Sequence, residues 1–221
     1  MPSYEYNIPI TSVIEAYKRG LFPMAETSSS KEIYWIEPKN RGIFNLDRIK
    51  VPKKLKKFLK KDIFDIGIDI NFEKVINNCA KITENRKDTW INETIKKIYI
   101  EMYKQGYAHS VECYLNQKLV GGLYGVRIGG MFFGESMFSF ISNASKVALL
   151  HLIERLKIGG FQVLDTQFIN EHLKQFGAIE LPNKEFKSII EKNINKKAYF
   201  YKFSKKGFLA NNLYPLKNKI I

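Results

Sequence analysis

Three strand-like segments joined by two short turns constrain the fold of this chain more than any other feature. The segments span residues 107–114, 119–126 and 131–135, and turns at 116–118 and 128–130 join them. Connections this short join antiparallel neighbours, because parallel strands need a crossover of about a dozen residues or more. The pattern therefore predicts a run of antiparallel strands in the second half of the chain.

Helices are expected before and after these strands in the sequence. Apolar residues recur at helical spacing after an N-cap at Asn92. A second helix is expected from its cap, Asn143, to Lys157, and it is followed by a strand at 161–167 and a short helix near 170–175. The order of helix, antiparallel strands, helix, strand and helix predicts an α+β fold with mixed layers.

The N-terminal part of the chain is expected to form a smaller unit. A short helix is predicted at 12–19, and a strand rich in β-branched residues is predicted at 63–70. We therefore expect a small mixed α/β N-terminal domain over residues 1–62 and a larger domain over residues 63–221. The boundary between the two domains is expected within residues 60–90.

The net charge of +14 is concentrated in two segments. Residues 48–61 contain eight basic side chains and no acidic one, and residues 184–221 contain ten basic and two acidic side chains. Such density is typical of a protein that binds a polyanion, although a solvated helix face in a lysine-rich proteome explains it equally well. Val51, Leu55 and Leu59 recur at helical spacing within the first segment, which predicts an amphipathic helix with exposed lysines.

Simple sequence features argue against several other classes of protein. No stretch approaches the roughly 18 consecutive apolar residues of a membrane span. The first residues lack the basic and apolar layout of a secretory signal, so we expect a cytoplasmic protein. Cys79 and Cys113 are isolated, which argues against a disulfide framework and a paired-cysteine zinc site. The histidines share no ligand-like spacing, so no bound metal is expected.

Polar residues in apolar surroundings mark the candidate site for chemistry. Glu135 is flanked by large apolar residues, where an unpaired carboxylate would be costly to bury. Strand alternation places Asp165 and Gln167 on one face of a strand, with Thr166 pointing away. An acid and an amide on one face suit proton transfer beside a developing oxyanion, but a structural hydrogen-bonded pair has the same pattern.

Short motifs give the chain a resemblance to a known family. The motifs are residues 16–23, Trp35 with Glu37 and Pro38, and residues 89–91, 106–112, 121–126, 134–139, 143–146 and 165–167. With these motifs in this order, the chain resembles the leucyl/phenylalanyl-tRNA–protein transferases over about residues 12–185.

The resemblance implies a bacterial enzyme of the cytosol. Such an enzyme moves leucine or phenylalanine, and in some cases methionine, from its charged tRNA to the N-terminal lysine or arginine of a protein. The product is marked for degradation by the N-end rule. The resemblance also implies that the larger domain is similar to the GCN5-related acetyltransferase fold. The family uses neither a metal nor a coenzyme.

The resemblance also implies roles in catalysis. An aminoacyl ester is already activated, so the enzyme mainly aligns it with an incoming α-amine and manages a proton. Asp165 is expected to accept or relay that proton, and Gln167 to hold Asp165 and polarise the reacting groups. Glu135 is expected to attract the cationic acceptor. The alternative that the terminal hydroxyl of the tRNA relays the proton stays open.

The resemblance also implies which residues bind the substrates. Leu123, Phe133 and Leu164 are expected in the wall of an apolar pocket for leucine or phenylalanine, although ordinary core packing also explains them. Trp35 and Trp90 are expected to stack on or enclose the terminal adenosine of the tRNA.

Two further sets of contacts complete these expectations. Ser139, in the last position of the 134–139 motif, is expected to bind substrate. The basic helix is expected to contact tRNA phosphates through Lys53, Lys54, Lys57, Lys60 and Lys61.

Two other interpretations stay open. A coenzyme-A-dependent N-acetyltransferase of the same fold needs an Arg/Gln-x-x-Gly-x-Gly/Ala loop whose backbone amides bind the pyrophosphate. The nearest stretch, residues 127–132, fails at its last position and lies between two predicted strands. A non-catalytic RNA-binding module accounts for the basic segments but leaves Glu135, Asp165 and Gln167 unexplained.

Overall fold

A computed structural model describes residues 8–84 and 87–202 of the chain. Helices and strands are mixed along the chain in an α+β architecture, which confirms the predicted class. The helices are α1 (Ile10–Lys18), α2 (Lys53–Leu59), α3 (Phe72–Ala80), α4 (Glu93–Lys104), α5 (Ala144–Gly159), α6 (Glu171–Lys174) and α7 (Asn183–Asn193). The strands are β1 (Phe22–Met24), β2 (Tyr34–Ile36), β3 (Asn40–Asn45), β4 (Asp65–Ile68), β5 (Ala108–Leu115), β6 (Lys118–Ile128), β7 (Met131–Ser139), β8 (Val163–Gln167) and β9 (Ile179–Pro182).

A seven-stranded sheet with the order β4-β5-β6-β7-β8-β3-β9 forms the centre of the structure. Its neighbours are antiparallel except for β7 and β8, which run parallel. The three predicted antiparallel strands are confirmed as β5, β6 and β7, although β7 extends further than predicted, to Ser139. Asn116 and Gln117 form the tight β5–β6 turn with φ angles of 50° and 62°, as this kind of hairpin requires.

Two layers of helices cover the sheet. α2 and α5 pack on one face, and α1, α3, α4 and α7 pack on the other. Because side chains alternate along a strand, neighbours on β6 belong to different layers: Leu123 lies in the α5 layer and Tyr124 in the α4 layer.

Asparagine caps define several helix starts. Asn92 accepts a hydrogen bond from the backbone N–H of Ile95, so the predicted cap of α4 is confirmed. The predicted cap at Asn143 is wrong. Asn143 adopts a left-handed conformation with φ of 70°, and its side chain makes no capping bond. The hydroxyl of Ser139 accepts the N–H of Ser145 there instead.

The large sheet contains a strand from each side of the predicted domain boundary. β3 precedes the predicted boundary near residue 62, yet it lies between β8 and β9 in the large sheet. Strands from both sides of the boundary therefore share one sheet, and the division at 62 stays a prediction. Within residues 8–84 and 87–202, no helix is long and apolar enough to cross a membrane.

Candidate active site

A cavity opens where β7 and β8 separate. The two strands pair in parallel from Met131 opposite Val163 to Phe133 opposite Asp165. Beyond that point, residues 134–137 and 166–168 line a cavity of about 360 Å³. Its walls are largely apolar, and they also include Met24, Trp90, Leu123, Tyr124, Leu149, Leu152, Leu164, Asn170, His172 and Leu173.

A β-bulge positions Glu135 at this cavity. Tyr124 of β6 pairs with Ser136, and Gly125 pairs with Gly134, which leaves Glu135 as the extra residue of β7. Glycine is required at position 125, because an added Cβ would lie 2.3 Å from the carbonyl oxygen of Phe133. The bulge directs the Glu135 carboxyl group toward α1 and α4.

Three side chains lie within hydrogen-bonding distance of the Glu135 carboxyl group. The hydroxyls of Tyr17 and Tyr99 lie 2.7 Å from Oε1 and Oε2 respectively, and Nε2 of Gln167 lies 2.9 Å from Oε1. The residue is partly exposed to the cavity, but its carboxyl group is surrounded by protein. Burial raises the pKa of Glu135 from its usual 4.5 to about 7.

Gln167 reaches Glu135 because of its backbone conformation. Its φ of 61° is left-handed, an unfavourable conformation for a residue other than glycine. Its N–H donates to Oδ1 of Asp165 at 2.8 Å, which holds this turn in place. Gln167 and Thr166 both line the cavity as a result, whereas Asp165 is not part of its described lining.

Asp165 forms a buried ion pair with Arg41. Nε and a terminal nitrogen of the guanidinium donate to its carboxylate oxygens at 2.6–3.1 Å, and neither side chain is exposed. The other terminal nitrogen donates to the carbonyl of Gly20 at 2.8 Å. The guanidinium carbon also lies 4.9 Å and 4.6 Å from the ring centres of Phe22 and Phe186. This pair connects β8 to β3 and to the end of α1.

Three site residues escape prediction from the sequence: Arg41, Tyr17 and Tyr99. A carboxylate in an apolar strand indicates that a polar partner exists, but the sequence does not identify it. Burial raises the pKa of both tyrosines well above 10.0, with a further contribution from Glu135. Their hydroxyls therefore stay protonated and act as donors.

The predicted pocket residues are only partly brought together. Trp90, Leu123 and Leu164 line the cavity. Phe133 is completely buried and packs on Tyr17, with ring centres 4.9 Å apart, outside the described lining. Ser139 lies at the exposed end of β7, where it donates to the carbonyl of Ile141 and caps α5.

Trp35 lies at a different depression. The side chain is 37% exposed on β2, and the depression encloses about 450 Å³. The other residues that line it are Thr11, Ser12, Glu15, Ala16, Arg19 and Leu21.

The predicted basic helix is confirmed as α2, but it is shorter than the basic segment and leaves Val51, Lys60 and Lys61 outside it. α2 buries Leu55 and Leu59 against the sheet, and the five lysines with predicted tRNA contacts are all exposed. Lys53 and Lys54 share a depression of about 390 Å³ with Lys146 of α5. Gln175 and Phe176, which follow α6, line the same depression. This basic depression therefore lies next to α6, whose His172 and Leu173 line the cavity.

The described residues show no cluster of three or more histidine, cysteine or acidic side chains that could hold a metal ion.

Comparison with known families gives the decisive observation. The profile of the family described as leucyl/phenylalanyl-tRNA protein transferase matches residues 43–191, and the profile of its N-terminal domain matches residues 7–39. The chain belongs to the leucyl/phenylalanyl-tRNA–protein transferase family. It is therefore an enzyme, an aminoacyltransferase, and the predicted resemblance is confirmed.

Relatives in this transferase family are similar over most of the chain. The leucyl/phenylalanyl-tRNA–protein transferase of Rhizorhabdus wittichii is 48% identical over 81% of this chain and 72% of its own length. The one from Rhodopseudomonas palustris is 47% identical over 85% of this chain and 82% of its own length. A solved structure, L-PGS from Bacillus licheniformis, covers 77% of this chain and 58% of its own at 10% identity. Its TM-score of 0.41 is too low to assign a fold.

Proposed function

We propose that this enzyme transfers leucine or phenylalanine from charged tRNA to the N-terminal lysine or arginine of proteins in the bacterial cytosol. The product would enter N-end-rule degradation. The observation that carries the proposal is the cavity between β7 and β8, which joins an apolar wall to a polar end formed by Glu135 and Gln167.

The apolar wall suits the side chain of the transferred amino acid. Leu123, Leu149 and Leu164 are buried residues of three different elements that meet at the cavity. Burial of a leucine or phenylalanine side chain there would contribute about 1.5–3 kcal/mol to binding. Charged or strongly polar amino acids would lose their hydration without gaining a partner along this wall.

The polar end suits the acceptor. A free α-amino group and a lysine or arginine side chain both carry positive charge at neutral pH, and the Glu135 carboxylate attracts such groups. The amide of Gln167 can polarise the reacting ester. We assign to Asp165 a positioning role, because its oxygens are occupied by Arg41 and by the N–H of Gln167.

The tRNA would lie across the basic surface. Five lysines are proposed to contact its phosphates: Lys53, Lys54, Lys57, Lys60 and Lys61. Trp90, which lines the cavity, is proposed to enclose the terminal adenosine. Trp35, at its separate depression, and Ser139, beside the start of α5, are proposed as further contacts with the donor.

Transfer of labelled leucine tests the proposal. The protein is incubated with labelled leucyl-tRNA and a peptide that begins with lysine or arginine, and label is expected on the peptide. A matched peptide that begins with glutamate is the control, and it should stay unlabelled. Labelling of both peptides would contradict the proposed acceptor, and labelling of neither would contradict the proposed reaction.

The same assay separates the alternatives. Acetylation that depends on acetyl-coenzyme A would favour an N-acetyltransferase, and tRNA binding without transfer would favour an RNA-binding module. The geometry disfavours the first, because residues 128–131 form the tight connection of β6 to β7 and do not start a helix.

A further inference from the structure

Tyr17, Tyr99 and Glu135 form a closed triangle of short contacts. The two hydroxyl oxygens lie 2.7 Å from each other, and each lies 2.7 Å from a different oxygen of the carboxyl group. α1, α4 and the bulge of β7 supply one member each. A contact of this length between two oxygens is a hydrogen bond and needs a proton between them.

The number of protons decides the state of the triangle. If Glu135 is ionised, two hydroxyl protons serve three oxygen–oxygen contacts, and one contact brings two lone pairs together without a proton. If Glu135 is protonated, each contact has one proton. Its carboxyl O–H then donates to Tyr99, Tyr99 donates to Tyr17, and Tyr17 donates to the other carboxyl oxygen.

The surroundings of the carboxyl group agree with this state. Tyr17 faces it from α1, Tyr99 from α4, Tyr124 from β6, and Gln167 and Asp165 from β8. The guanidinium of Arg41 forms hydrogen bonds with both oxygens of Asp165. Glu135 has hydroxyl and amide donors, but no cation among these partners.

We infer that Tyr17, Tyr99 and Glu135 form a ring of three hydrogen bonds in which the carboxyl group carries the third proton, and that closing this ring takes up the proton that the acceptor ammonium group must lose. The second part of the inference rests on the proposed function. The two tyrosines are positioning residues, because they act through Glu135.

The step balances in protons and electrons. An N–H bond of the ammonium breaks, the electron pair stays on nitrogen, and an O–H bond forms on Glu135. The neutral amine attacks the ester carbonyl, the C–N bond forms and the C–O bond to tRNA breaks. A second proton from nitrogen goes to the departing tRNA oxygen, and Glu135 later returns its proton to water.

The raised pKa of Glu135 also makes this proton transfer less unfavourable. An α-ammonium has a pKa of roughly 7.7–8.0, and burial raises the pKa of Glu135 to about 7. An ordinary glutamate would be a weaker base by about 2.5 pKa units, or roughly 300-fold in the equilibrium for proton transfer.

Titration of Glu135 in the free enzyme tests the ring without any transfer assay. The protein is labelled with ¹³C at the glutamate carboxyl carbon, and Glu135→Gln identifies the signal. Tyr17→Phe and Tyr99→Phe are each expected to lower the pKa of Glu135, by about one unit. If the tyrosines only donate to the carboxylate, each variant raises that pKa instead; a rise or no change overturns the ring.

A matched variant controls for the loss of a tyrosine hydroxyl. Tyr114 donates to the buried Glu112 at 2.5 Å, outside the ring, so Tyr114→Phe should leave the titration of Glu135 unchanged.

If neither ring variant folds, crystals of the wild type at about pH 5.5 and about pH 9 provide the test. The two hydroxyls should touch at the lower pH and separate at the higher, whereas Glu135→Gln keeps them together at both. Hydroxyls that stay in contact at the higher pH in the wild type contradict the ring.

Kinetics test the second part separately. In both Tyr→Phe variants, the acid limb of the pH profile of kcat/KM for aminoacyl transfer should lie at lower pH, and the plateau value of kcat/KM should be reduced. A wild type that transfers no amino acid would contradict the proposed function, but it would leave the NMR result on the ring intact. An acid limb that does not move would contradict the proton-uptake role alone.

Discussion

Arg41 and Asp165 form a buried bidentate ion pair that joins β3 to β8 beside the cavity. Asp165 also accepts the backbone N–H of Gln167, the residue whose left-handed turn directs its amide to Glu135. The pair therefore fixes the place at which the strand turns toward the site. This arrangement explains why a carboxylate is buried in an apolar strand without lining the cavity itself.

Loss of Arg41 should destabilise the protein strongly. Arg41→Met leaves the Asp165 carboxylate buried without its guanidinium partner, so the free energy of unfolding should fall by about 3–5 kcal/mol. Urea denaturation measures this change. Lys18→Met is a matched control, because Lys18 pairs with Glu15 at 2.7 Å on the surface and should contribute far less. Equal losses from both variants would contradict a structural role for the buried pair.

The pH profile of an Asp165 variant separates positioning from proton transfer. Asp165→Asn keeps an oxygen that can accept the N–H of Gln167, but it removes the charge. If Asp165 only positions Gln167, the variant retains the acid limb of kcat/KM, because Glu135 is the group that titrates. Loss of that limb together with a 10²–10⁴-fold lower rate would show that Asp165 is the base. For Asp165→Ala, a loss below about tenfold would exclude the base role.

Local signals in the sequence predict the helices and strands, whereas the arrangement of side chains at the site depends on contacts between residues that are far apart in the sequence. The strands β5 to β7 and the Asn92 cap follow from residues that are close in sequence. Arg41 and Asp165, by contrast, are separated by 124 residues, and the sequence near Asp165 does not identify Arg41 as its partner. The Asn143 cap failed because a competing hydroxyl, that of Ser139, satisfies the same helix end.

The position of Gln167 shows a second limit of prediction. Alternation along a regular strand predicts that Gln167 lies on the same face as Asp165, but its positive φ turns the end of β8 and brings its amide to Glu135. Sequence patterns assume regular backbone, and this site depends on two departures from it: the turn at Gln167 and the bulge at Glu135.

The stability of the protein should depend on pH through Glu135. Its folded-state pKa of about 7 lies above the usual 4.5, so the folded protein holds this proton more tightly than the unfolded chain does. That stabilisation is complete below about pH 4.5 and is lost as the pH rises to about 7. Relative to Glu135→Gln, the wild type should lose roughly 2–4 kcal/mol across this range. Urea denaturation of both proteins at several pH values measures the difference, and parallel curves would contradict the raised pKa.

The leucine wall should control the choice of amino acid. Leu123→Ala enlarges the cavity, so the ratio of kcat/KM for phenylalanyl-tRNA to that for leucyl-tRNA should rise by about tenfold or more. Leu156→Ala is the control, because Leu156 is buried in α5 outside the described cavity lining. Both variants remove a buried leucine and should be destabilised to a similar extent, by about 2–5 kcal/mol. A ratio that changes equally in both would mean that the cavity does not bind the amino acid.

The lysines of α2 should contribute to tRNA affinity in a salt-dependent way. Each phosphate that a lysine neutralises releases counterions, so log K falls with log salt concentration by about 0.7–0.9 for each contact. Lys53→Gln, Lys54→Gln and Lys57→Gln should each weaken binding of leucyl-tRNA and make this slope shallower by up to that amount. Fluorescence anisotropy of labelled tRNA at several salt concentrations measures both quantities.

A lysine elsewhere on the surface distinguishes a specific contact from net charge. Lys118 is exposed at the β5–β6 turn, and Lys118→Gln changes the net charge by the same amount as each α2 variant. If α2 lies on the phosphate backbone, the slope should change for the α2 variants and stay constant for Lys118→Gln. If all four variants shift the affinity equally at low salt and leave the slope unchanged, the attraction is long-range and α2 makes no direct contact, since only a contact releases condensed ions.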